Sequence, residues 1–458
     1  MTYLEKPVMS LERFMKDSTH QYRLVIAVRS FAAIVKQLKE KNIKKYDIYS
    51  PQYQNSLERL GRLIKESKDI TSLAFLGVDD STSILVEEVL AKFVSLNGYK
   101  IFDCKGHDTI GTLVGDAVVE EIPDMFFDGY IVISANDRYR ELEVIAEHLV
   151  VDKKKIINPF AQESYFPKER LIFNPYEHDA LNKQKTEEQW NQETKKNQDI
   201  DTIYKLSEIL NEYQPLFNHV EIETINRCNG KCSFCPVSVK HDIRKKMIMS
   251  DELFKKIIDD LAELKYDGKI ALFSNGEPML DPQIIERHAY MREKLPLART
   301  HLFTNGTLLT LDKFKKLIPY LDELVIDNYN QKLELNNTSK DIVSYCEENR
   351  ELIKKVTIVL RKENEVLTSR GGDAPNRKNK IEFIKERCVL PFRQLIIRPD
   401  GKVSLCCNDP YGRVTLGDFS IQNAKEIWYG DKFAGIRKKI MQGRGCIDHC
   451  KYCDTFYF

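Results

Sequence analysis

Three cysteines in the segment 228–235 carry the most direct sign of chemistry in this chain. Cys228, Cys232 and Cys235 have the spacing C-x3-C-x2-C and follow a stretch that alternates like a β-strand. Thiolates bind zinc, copper(I) or iron–sulfur clusters. A structural zinc site normally uses four protein ligands. Three thiolates on one loop therefore favour a [4Fe–4S] cluster with one iron open to a small molecule, and zinc is the alternative.

A second group of cysteines closes the chain. Its members are Cys388, Cys406, Cys407, Cys446, Cys450 and Cys453. Clustered cysteines in a large chain favour metal binding over disulfide bonds. A structural zinc ribbon is the alternative. Two further cysteines, Cys104 and Cys346, stand alone, and we predict that they are ordinary buried thiols.

Strand-like and helix-like segments alternate from about residue 217 onward. Apolar alternation and short apolar runs predict five strands, at 220–225, 269–274, 301–304, 324–326 and 356–360. Segments of helical periodicity lie between them, which predicts a parallel α/β barrel or part of one. In such a barrel the functional loops lie at the carboxyl ends of the strands.

Turn-like motifs follow the later strands one after another. They are Gly276-Glu277-Pro278, Thr304-Asn305-Gly306, Asp327-Asn328 and Arg361. Each of these alone is a common turn or a single charged residue. Their position after successive strands indicates that they share one site with the cysteines.

These residues resemble the radical S-adenosylmethionine (SAM) superfamily. Its signature is the same C-x3-C-x2-C spacing with an aromatic residue before the third cysteine, which Phe234 supplies. The resemblance implies a partial parallel (β/α)6-type barrel and a [4Fe–4S] cluster whose open iron binds SAM. It also implies cleavage of SAM to a 5′-deoxyadenosyl radical that abstracts a substrate hydrogen, the hard chemistry being the cofactor's.

The same resemblance assigns the turn motifs to SAM. Gly276-Glu277-Pro278 is similar to the family's contact to the methionine amino group, and Asn305 lies in a turn common among relatives. Asp327 would lie near the ribose, and Arg361 would meet the carboxylate. Relatives more often have a serine-containing segment at the position of Asp327, so this chain departs from the pattern there.

The second cysteine group resembles the auxiliary-cluster domain called SPASM, or its shorter form called twitch. Cys388 is followed by twelve residues, Gly401, four residues and Cys406. The dipeptide Asp400-Gly401 predicts a hairpin that folds the chain back toward Cys388. The resemblance implies one auxiliary [4Fe–4S] cluster, because two clusters need about seven or eight cysteines. Its implied ligands are Cys388, Cys406, Cys450 and Cys453.

Two cysteines of this group are outside the implied ligand set. Cys446 is an alternative to Cys450 or Cys453. Cys407 follows Cys406 on a predicted strand, so its side chain should point to the opposite face.

Four segments follow from this pattern. We predict an N-terminal Rossmann-like α/β domain at 1–165, a linker at 166–216, the partial barrel at 217–380 and the SPASM/twitch domain at 381–458. The N-terminal domain rests on a βαβ unit at 70–160. Its first loop, 77–83, lacks a G-x-G-x-x-G pattern and carries two aspartates, which argues against a pyrophosphate site.

Composition limits the partners. Lysine plus arginine number 70 and aspartate plus glutamate 69, so the net charge of +1 offers no field for nucleic acid or an anionic membrane. No apolar run approaches the roughly 18 to 20 residues of a membrane span, and the first residues lack a signal-peptide pattern. We predict a cytoplasmic protein that binds neither nucleic acid nor membrane.

The leading hypothesis is an oxidoreductase that removes hydrogen from a sugar-like or other small polar substrate and passes an electron to the auxiliary cluster. Asp409 is the predicted proton acceptor, and Arg370 and Arg398 are predicted to orient the substrate. A reduced flavodoxin or ferredoxin-type protein would supply electrons. The alternatives are a peptide or protein maturase with the same chemistry, and a zinc-bound interaction protein without catalysis.

Overall fold

The computed structural model describes residues 2–3, 6–7, 25–26, 38, 47–48, 72–92, 98–123, 126–136, 138–150, 152–160, 170–176, 200–377 and 383–455. The chain forms two compact units, Met1–Glu163 and Ser164–Phe458. Residues 177–199, in the middle of the predicted linker, lie outside the described residues. Within the described part of the chain, no helix is long and apolar enough to span a bilayer.

The first unit contains a mainly parallel sheet. Its strands are β1 (Thr2–Tyr3), β2 (Lys6–Pro7), β3 (Val25–Ile26), β4 (Asp47–Ile48), β5 (Leu73–Leu76), β6 (Lys100–Asp103), β7 (Leu113–Val114), β8 (Ala117–Glu121), β9 (Tyr130–Ile133) and β10 (Ile156–Ile157), and its helices are α1 (Asp80–Lys92) and α2 (Tyr139–Leu149). Strands β5 to β10 form the sheet, in the order β10-β9-β5-β6-β8-β7, with β7 antiparallel to β8 and the other pairs of this sheet parallel. Strands β1 and β2 form a separate antiparallel pair, and β3 and β4 form a separate parallel pair.

The βαβ unit predicted at 70–160 is present as β5, α1 and β6, and β6 pairs with β5 in parallel. A parallel sheet with crossover helices is therefore present, and its likeness to a Rossmann fold stays a prediction.

The second unit is built on one larger sheet. Its strands are β11 (Ile172–Phe173), β12 (His219–Ile222), β13 (Lys269–Ala271), β14 (Arg299–Thr304), β15 (Glu323–Tyr329), β16 (Val356–Arg361), β17 (Gln394–Ile397), β18 (Lys402–Ser404) and β19 (Thr415–Asp418). Its helices are α3 (Ile200–Tyr213), α4 (Asp251–Glu263), α5 (Ile284–Lys294), α6 (Leu311–Leu317), α7 (Asn337–Glu348), α8 (Ala424–Trp428) and α9 (Asp431–Gln442).

The strand order follows the chain, as expected for a partial barrel. It runs β11-β16-β15-β14-β13-β12-β17-β18-β19, and every described pair from β11 to β17 is parallel. The carboxyl ends of these strands therefore lie at one edge, where the cysteine loop and the turn motifs meet. The sequence predicts β17 only as one strand of the hairpin. In the structure β17 also pairs in parallel with β12 and so extends the barrel sheet.

Two elements lie in the segment 166–216, for which the sequence predicts a linker. Strand β11 adds to the edge of the sheet beside β16, and α3 forms an amphipathic helix. Ile203, Leu206 and Leu210 recur at helical spacing and are buried, which explains why this part folds onto the unit.

The helices cover the apolar faces of the sheet. Ser250 caps the N-terminus of helix α4, because its hydroxyl accepts a hydrogen bond from the backbone N–H of Leu253. Its buried stripe includes Phe254, Ile257 and Leu261. Beyond the barrel, the fully buried Trp428 packs edge-to-face on Phe217 at 5.3 Å between ring centroids.

The β17–β18 hairpin carries the chain back toward Cys388. Gly401 occupies its turn with φ of 80°, a left-handed conformation that favours glycine. Its N–H donates to the carbonyl of Arg398 at 2.9 Å. The predicted Asp400-Gly401 hairpin is confirmed.

We expect Gly401→Ala to lower the melting temperature, because a side chain at this φ costs about 1–2 kcal/mol. An added Cβ would also lie 3.1 Å from a methyl group of Leu253. Gly435→Ala is the matched control. It lies inside α9 with no heavy atom within 4 Å of the added Cβ, and should raise stability by about 0.5–1 kcal/mol. The measurement is the melting temperature of both variants and of wild type in one buffer. Equal melting temperatures for Gly401→Ala and wild type would contradict the prediction.

Candidate active site and iron–sulfur centres

A cavity of about 330 Å³ opens at the carboxyl ends of the barrel strands. The loop after β12 brings Cys228, Cys232 and Cys235 to its wall. Of the residues predicted to bind SAM, those that line the same cavity are Phe234, Gly276, Glu277, Asn305, Asp327 and Arg361. Pro278 is buried at the start of a short 3-10 helix and is not part of the lining.

Backbone hydrogen bonds fasten the cysteine loop to its neighbours. The N–H of Glu277 donates to the carbonyl of Arg227 at 2.7 Å. The N–H of Ser233 donates to the carbonyl of Glu363 at 3.0 Å. The Asn305 side-chain amide donates to Oδ1 of Asn229 at 2.8 Å. Three loops from three strands thus fix the position of the cysteines.

Gly276 allows this close approach. A Cβ at this position would lie 2.4 Å from the carbonyl oxygen of Ile225 and 3.0 Å from that of Arg227. Any side chain would push the two loops apart, since real Cβ contacts are not this short. Glycine is therefore required here by packing rather than by an unusual φ.

The Glu277 carboxylate holds the neighbouring turn together. It accepts hydrogen bonds from Thr304 Oγ1 at 2.6 Å, from the N–H of Asn305 at 2.8 Å and from the N–H of Met279 at 3.0 Å. Burial raises its pKa, while these three donors favour the charged form. The side chain is 2% exposed, so it acts mainly as an internal brace.

Asp327 and Arg361 form an ion pair in the cavity wall. Arg361 Nε lies 2.9 Å from Asp327 Oδ1, and a second guanidinium nitrogen lies 3.2 Å from Glu365. Burial raises the pKa of Asp327, and Arg361 opposes that shift. The ring of Tyr329 lies 5.8 Å from that of Phe234, which gives the cysteine loop an aromatic wall.

The three thiols suit an iron–sulfur cluster. Burial raises the pKa of Cys228 to about 11 and that of Cys232 to about 12, so deprotonation requires a cationic partner. The N–H of Gly230 points at Cys228 Sγ from 3.2 Å, and the amide of Asn305 from 3.9 Å. Hydrogen bonds to cluster sulfurs are one means by which proteins tune such centres.

The second cysteine group forms a buried cluster of thiols. Cys388, Cys406, Cys450 and Cys453 are all buried. Burial raises the pKa of Cys406, and the charges of Cys407 and of the other three thiols raise it further. Arg444 lies among them, buried, and donates to the backbone carbonyls of Cys453 and of Thr455.

Cys446 and Cys407 differ from these four. Cys446 is exposed, and its thiol donates to Oε1 of Gln442 at 3.8 Å. Cys407 is buried too, but it lines the cavity, and its electrostatic neighbours are Glu221 and Arg370 as well as Cys453 and Cys388. Cys406 and Cys407 lie in a turn just beyond β18, not on the predicted strand, yet they have different surroundings.

Two predicted polar residues lie outside the lining of the cavity. The Asp409 carboxylate accepts hydrogen bonds from the N–H groups of Arg413 and Val414, at 2.8 and 3.0 Å, and is fully buried in that turn. Arg398 donates to the carbonyl of Gly412 at 2.9 Å. The prediction that Asp409 accepts the substrate proton therefore meets a geometric obstacle, because local backbone donors occupy the carboxylate.

Arg370, in contrast, does line the cavity. Its guanidinium donates to Oδ1 of Asn275 at 3.0 Å. Four polar residues of the same lining belong to none of the predicted motifs, and they are His219, Glu221, Ser274 and Asn275. The signal for the first two was polar alternation on β12, whose side chains at 219 and 221 share one face.

The comparisons with known proteins agree with this geometry. The family described as the Radical SAM superfamily matches residues 222–334, and the family described as an iron-sulfur cluster-binding domain, SPASM, matches residues 388–454. A curated relative from Niallia circulans, an S-adenosyl-L-methionine-dependent 2-deoxy-scyllo-inosamine dehydrogenase, is 29% identical over 244 residues, covering 52% of this chain and 94% of the relative.

Other relatives are more distant or shorter. An Fe-coproporphyrin III synthase from Methanosarcina barkeri is 42% identical over 91 residues, which is 20% of this chain and 22% of that protein. Among solved structures, BtrN in complex with AdoMet and 2-DOIA is 26% identical to this chain, with a TM-score of 0.45. The alignment covers 53% of this chain and 94% of the BtrN chain. Native anSMEcpe with bound AdoMet is 16% identical, with coverages of 49% and 84% and a TM-score of 0.34.

The chain is therefore an enzyme of the radical SAM superfamily with a C-terminal SPASM domain. Its cofactors are a [4Fe–4S] cluster, SAM and an auxiliary iron–sulfur centre. These assignments favour iron–sulfur clusters over zinc at both cysteine groups.

The adjacent pair Cys406 and Cys407 gives a matched test of the auxiliary ligands. We expect Cys406→Ser to lose about four irons per chain after anaerobic reconstitution, because it removes a thiol of the buried group. Cys407→Ser should retain them, because that thiol faces the cavity. Iron and sulfide analysis of both variants is the measurement. Loss of iron in Cys407→Ser with retention in Cys406→Ser would reverse the assignment.

Proposed function

We propose that this enzyme oxidises a secondary alcohol of a small polyhydroxylated substrate, of which an aminocyclitol is the first candidate. The dehydrogenase from Niallia circulans, which is named for an aminocyclitol, supports this substrate class. The proposal goes beyond the family assignment, because radical SAM enzymes share one way of starting a reaction and differ in how it ends.

One observation carries the proposal. The Cys228 loop and Cys407 line the same cavity. Cys407 is the next residue in the chain after Cys406, which belongs to the buried thiol group. A substrate in this cavity would lie between the two iron–sulfur centres. Oxidation of an alcohol removes two electrons in two steps, and two redox centres around one substrate suit that need.

The proposed roles of the residues follow from their positions. Cys228, Cys232 and Cys235 would hold the radical cluster, and the loops of Glu277, Asn305, Asp327 and Arg361 would surround SAM. The auxiliary cluster would be held by Cys388, Cys406, Cys450 and Cys453. When bound, the first cluster and SAM supply hydrogen-atom abstraction from a carbon of the substrate.

The polar lining supports a small polar substrate. Arg370, Asn275 and Ser274 present hydrogen-bonding groups toward the cavity, and Phe273 and Phe303 supply apolar surface beside them. A few convergent polar groups in a mostly apolar wall are typical of small-molecule sites. Arg370 is the residue we propose to orient the substrate.

The remaining assignments are part of the same proposal. A reduced flavodoxin or ferredoxin-type protein would supply the electron for SAM cleavage. Seven of the eleven cysteines are proposed cluster ligands, and cysteines used in this way in place of disulfide bonds support a reducing compartment such as the cytoplasm. The N-terminal domain at 1–165, the linker at 166–216, the barrel at 217–380 and the auxiliary domain at 381–458 stay as predicted boundaries.

Metal content tests the cofactor set. We expect about eight irons per chain in anaerobically reconstituted protein, falling to about four in the Cys228→Ala, Cys232→Ala, Cys235→Ala variant. The wild type should form 5′-deoxyadenosine under dithionite, and the triple variant should not. Zinc without iron would contradict the assignment, and about twelve irons would indicate a second auxiliary cluster.

Product analysis tests the substrate class. We expect 2-deoxy-scyllo-inosamine or a related polyol to give a ketone together with 5′-deoxyadenosine, detected by mass spectrometry after hydrazine trapping. Reduction of SAM without ketone from any polyol, and with modification of a peptide instead, would move the enzyme to the peptide maturases. Recovery of the isomeric alcohol carrying solvent deuterium would indicate epimerisation.

A further inference from the structure

Glu221 is a buried carboxylate that faces the cavity from strand β12. It is 7% exposed and lines the cavity wall. Its Oε2 accepts a hydrogen bond from Ser274 Oγ at 2.6 Å, the one hydrogen bond that the described residues give this carboxylate. Arg370 and Cys407 are its electrostatic neighbours across the cavity. The backbone partners of Glu221 in β13 and β17 are Ala271 and Ile396, which bring no charge.

The other acidic groups in the lining are already engaged. Glu277 accepts three hydrogen bonds from the turn that it braces. Asp327 is paired with Arg361 at 2.9 Å. Each of these two carboxylates would have to break these contacts in order to accept a proton from a substrate. Oε1 of Glu221, in contrast, accepts no hydrogen bond from the described residues.

The nearby histidines are poor candidates for the same role. His219 lies on the same strand, with Nε2 3.6 Å from Glu221 Oε1. Burial lowers the pKa of His219 to about 3, and the pKa of His301 is also lowered. An imidazole with such a pKa holds a proton weakly at neutral pH, so neither ring is a good base.

We propose that Glu221 is a catalytic residue that takes the hydroxyl proton of the substrate alcohol. This inference rests on the proposed alcohol oxidation. The hydrogen atom on carbon leaves with the SAM-derived adenosyl group, the hydroxyl proton goes to the Glu221 carboxylate, and one electron goes to an iron–sulfur acceptor. These three transfers remove two protons and two electrons, and convert the alcohol to a ketone.

The electrostatics of Glu221 agree with this role. Burial raises its pKa to about 7, which the Ser274 hydroxyl and Arg370 oppose and Glu223 reinforces. A general base works best when its pKa is near the operating pH. The base must be ionised, so product formation should fall as the pH drops through about 7.

The experiment compares Glu221→Gln with two other variants of the holoenzyme, using 2-deoxy-scyllo-inosamine as the probe. We expect Glu221→Gln to lower kcat for ketone formation about 100-fold or more, to lose the acid limb of the pH profile, and to make excess 5′-deoxyadenosine per ketone. Its affinity for the probe, measured by calorimetry, should change little, and its iron content should match wild type.

Ser274→Ala and Glu223→Gln make the test independent of whether Glu221→Gln folds. Ser274→Ala removes the donor that favours the ionised carboxylate, so the acid limb should move to higher pH. Glu223→Gln removes a buried carboxylate that directly follows strand β12 and lies outside the cavity lining. Because Glu223 raises the pKa of Glu221, the acid limb should move to lower pH in this variant.

The outcomes distinguish failure of the role proposed for Glu221 from failure of the proposed alcohol oxidation. Wild-type ketone formation with an unchanged kcat in Glu221→Gln would overturn the role of Glu221 and keep the proposed function. A raised KM with unchanged kcat would also overturn it, because the carboxylate would then only bind the substrate. No ketone from wild type with any polyol would overturn both proposals. Opposite shifts of the acid limb in Ser274→Ala and Glu223→Gln would support Glu221 as the base.

Discussion

The contact between the Cys228 loop and the Gly276 loop is the constraint on which the rest of the site depends. The Glu277 N–H donates to Arg227, and the missing side chain of Gly276 lets two backbones meet. From there the Glu277 carboxylate holds Thr304 and the turn after β14. A small displacement at this contact would move the cysteines relative to every loop that surrounds SAM, and misplacement of about 1 Å can cost about 100-fold in rate.

Strand β12 explains how the barrel can carry polar groups in its interior. His219 and Glu221 share one face of the strand, while Val220 and Ile222 are buried on the other, and Glu223 follows directly after the strand. Glu223 is paired with Arg244 at 2.9 Å, as a buried charge requires. Among the described residues, Glu221 has only a hydroxyl as hydrogen-bond partner. Burial with one hydroxyl partner disfavours the charged form of this carboxylate. Proteins tolerate such unfavourable burial mainly at functional sites.

The sequence was informative where chemistry fixes the spacing of residues. The cysteine motif, the order of the loops and the Asp400-Gly401 turn follow from short segments, and the turn appears where predicted. Strand β11 could not be found in the same way, because two residues gain strand character only by pairing with β16, far away in the chain. Asp409 was chosen for its position near Cys406, but the N–H groups of residues four and five positions later occupy its carboxylate. Glu221 was passed over because alternation alone does not say which face of a buried strand opens into a cavity.

The β17–β18 hairpin positions two adjacent thiols, Cys406 and Cys407, of which we propose Cys406 as a ligand of the auxiliary cluster. In a paired strand, a shift of one residue exchanges the two faces. Here the register of β18 against β19 shifts between Val403 and Ser404, just before the chain turns at Cys406 and Cys407. Beyond that irregularity, Cys406 lies among the buried thiols and Cys407 lines the cavity. The two residues are adjacent in the chain, so under the proposed function a substrate in the cavity would lie close to the second iron–sulfur centre.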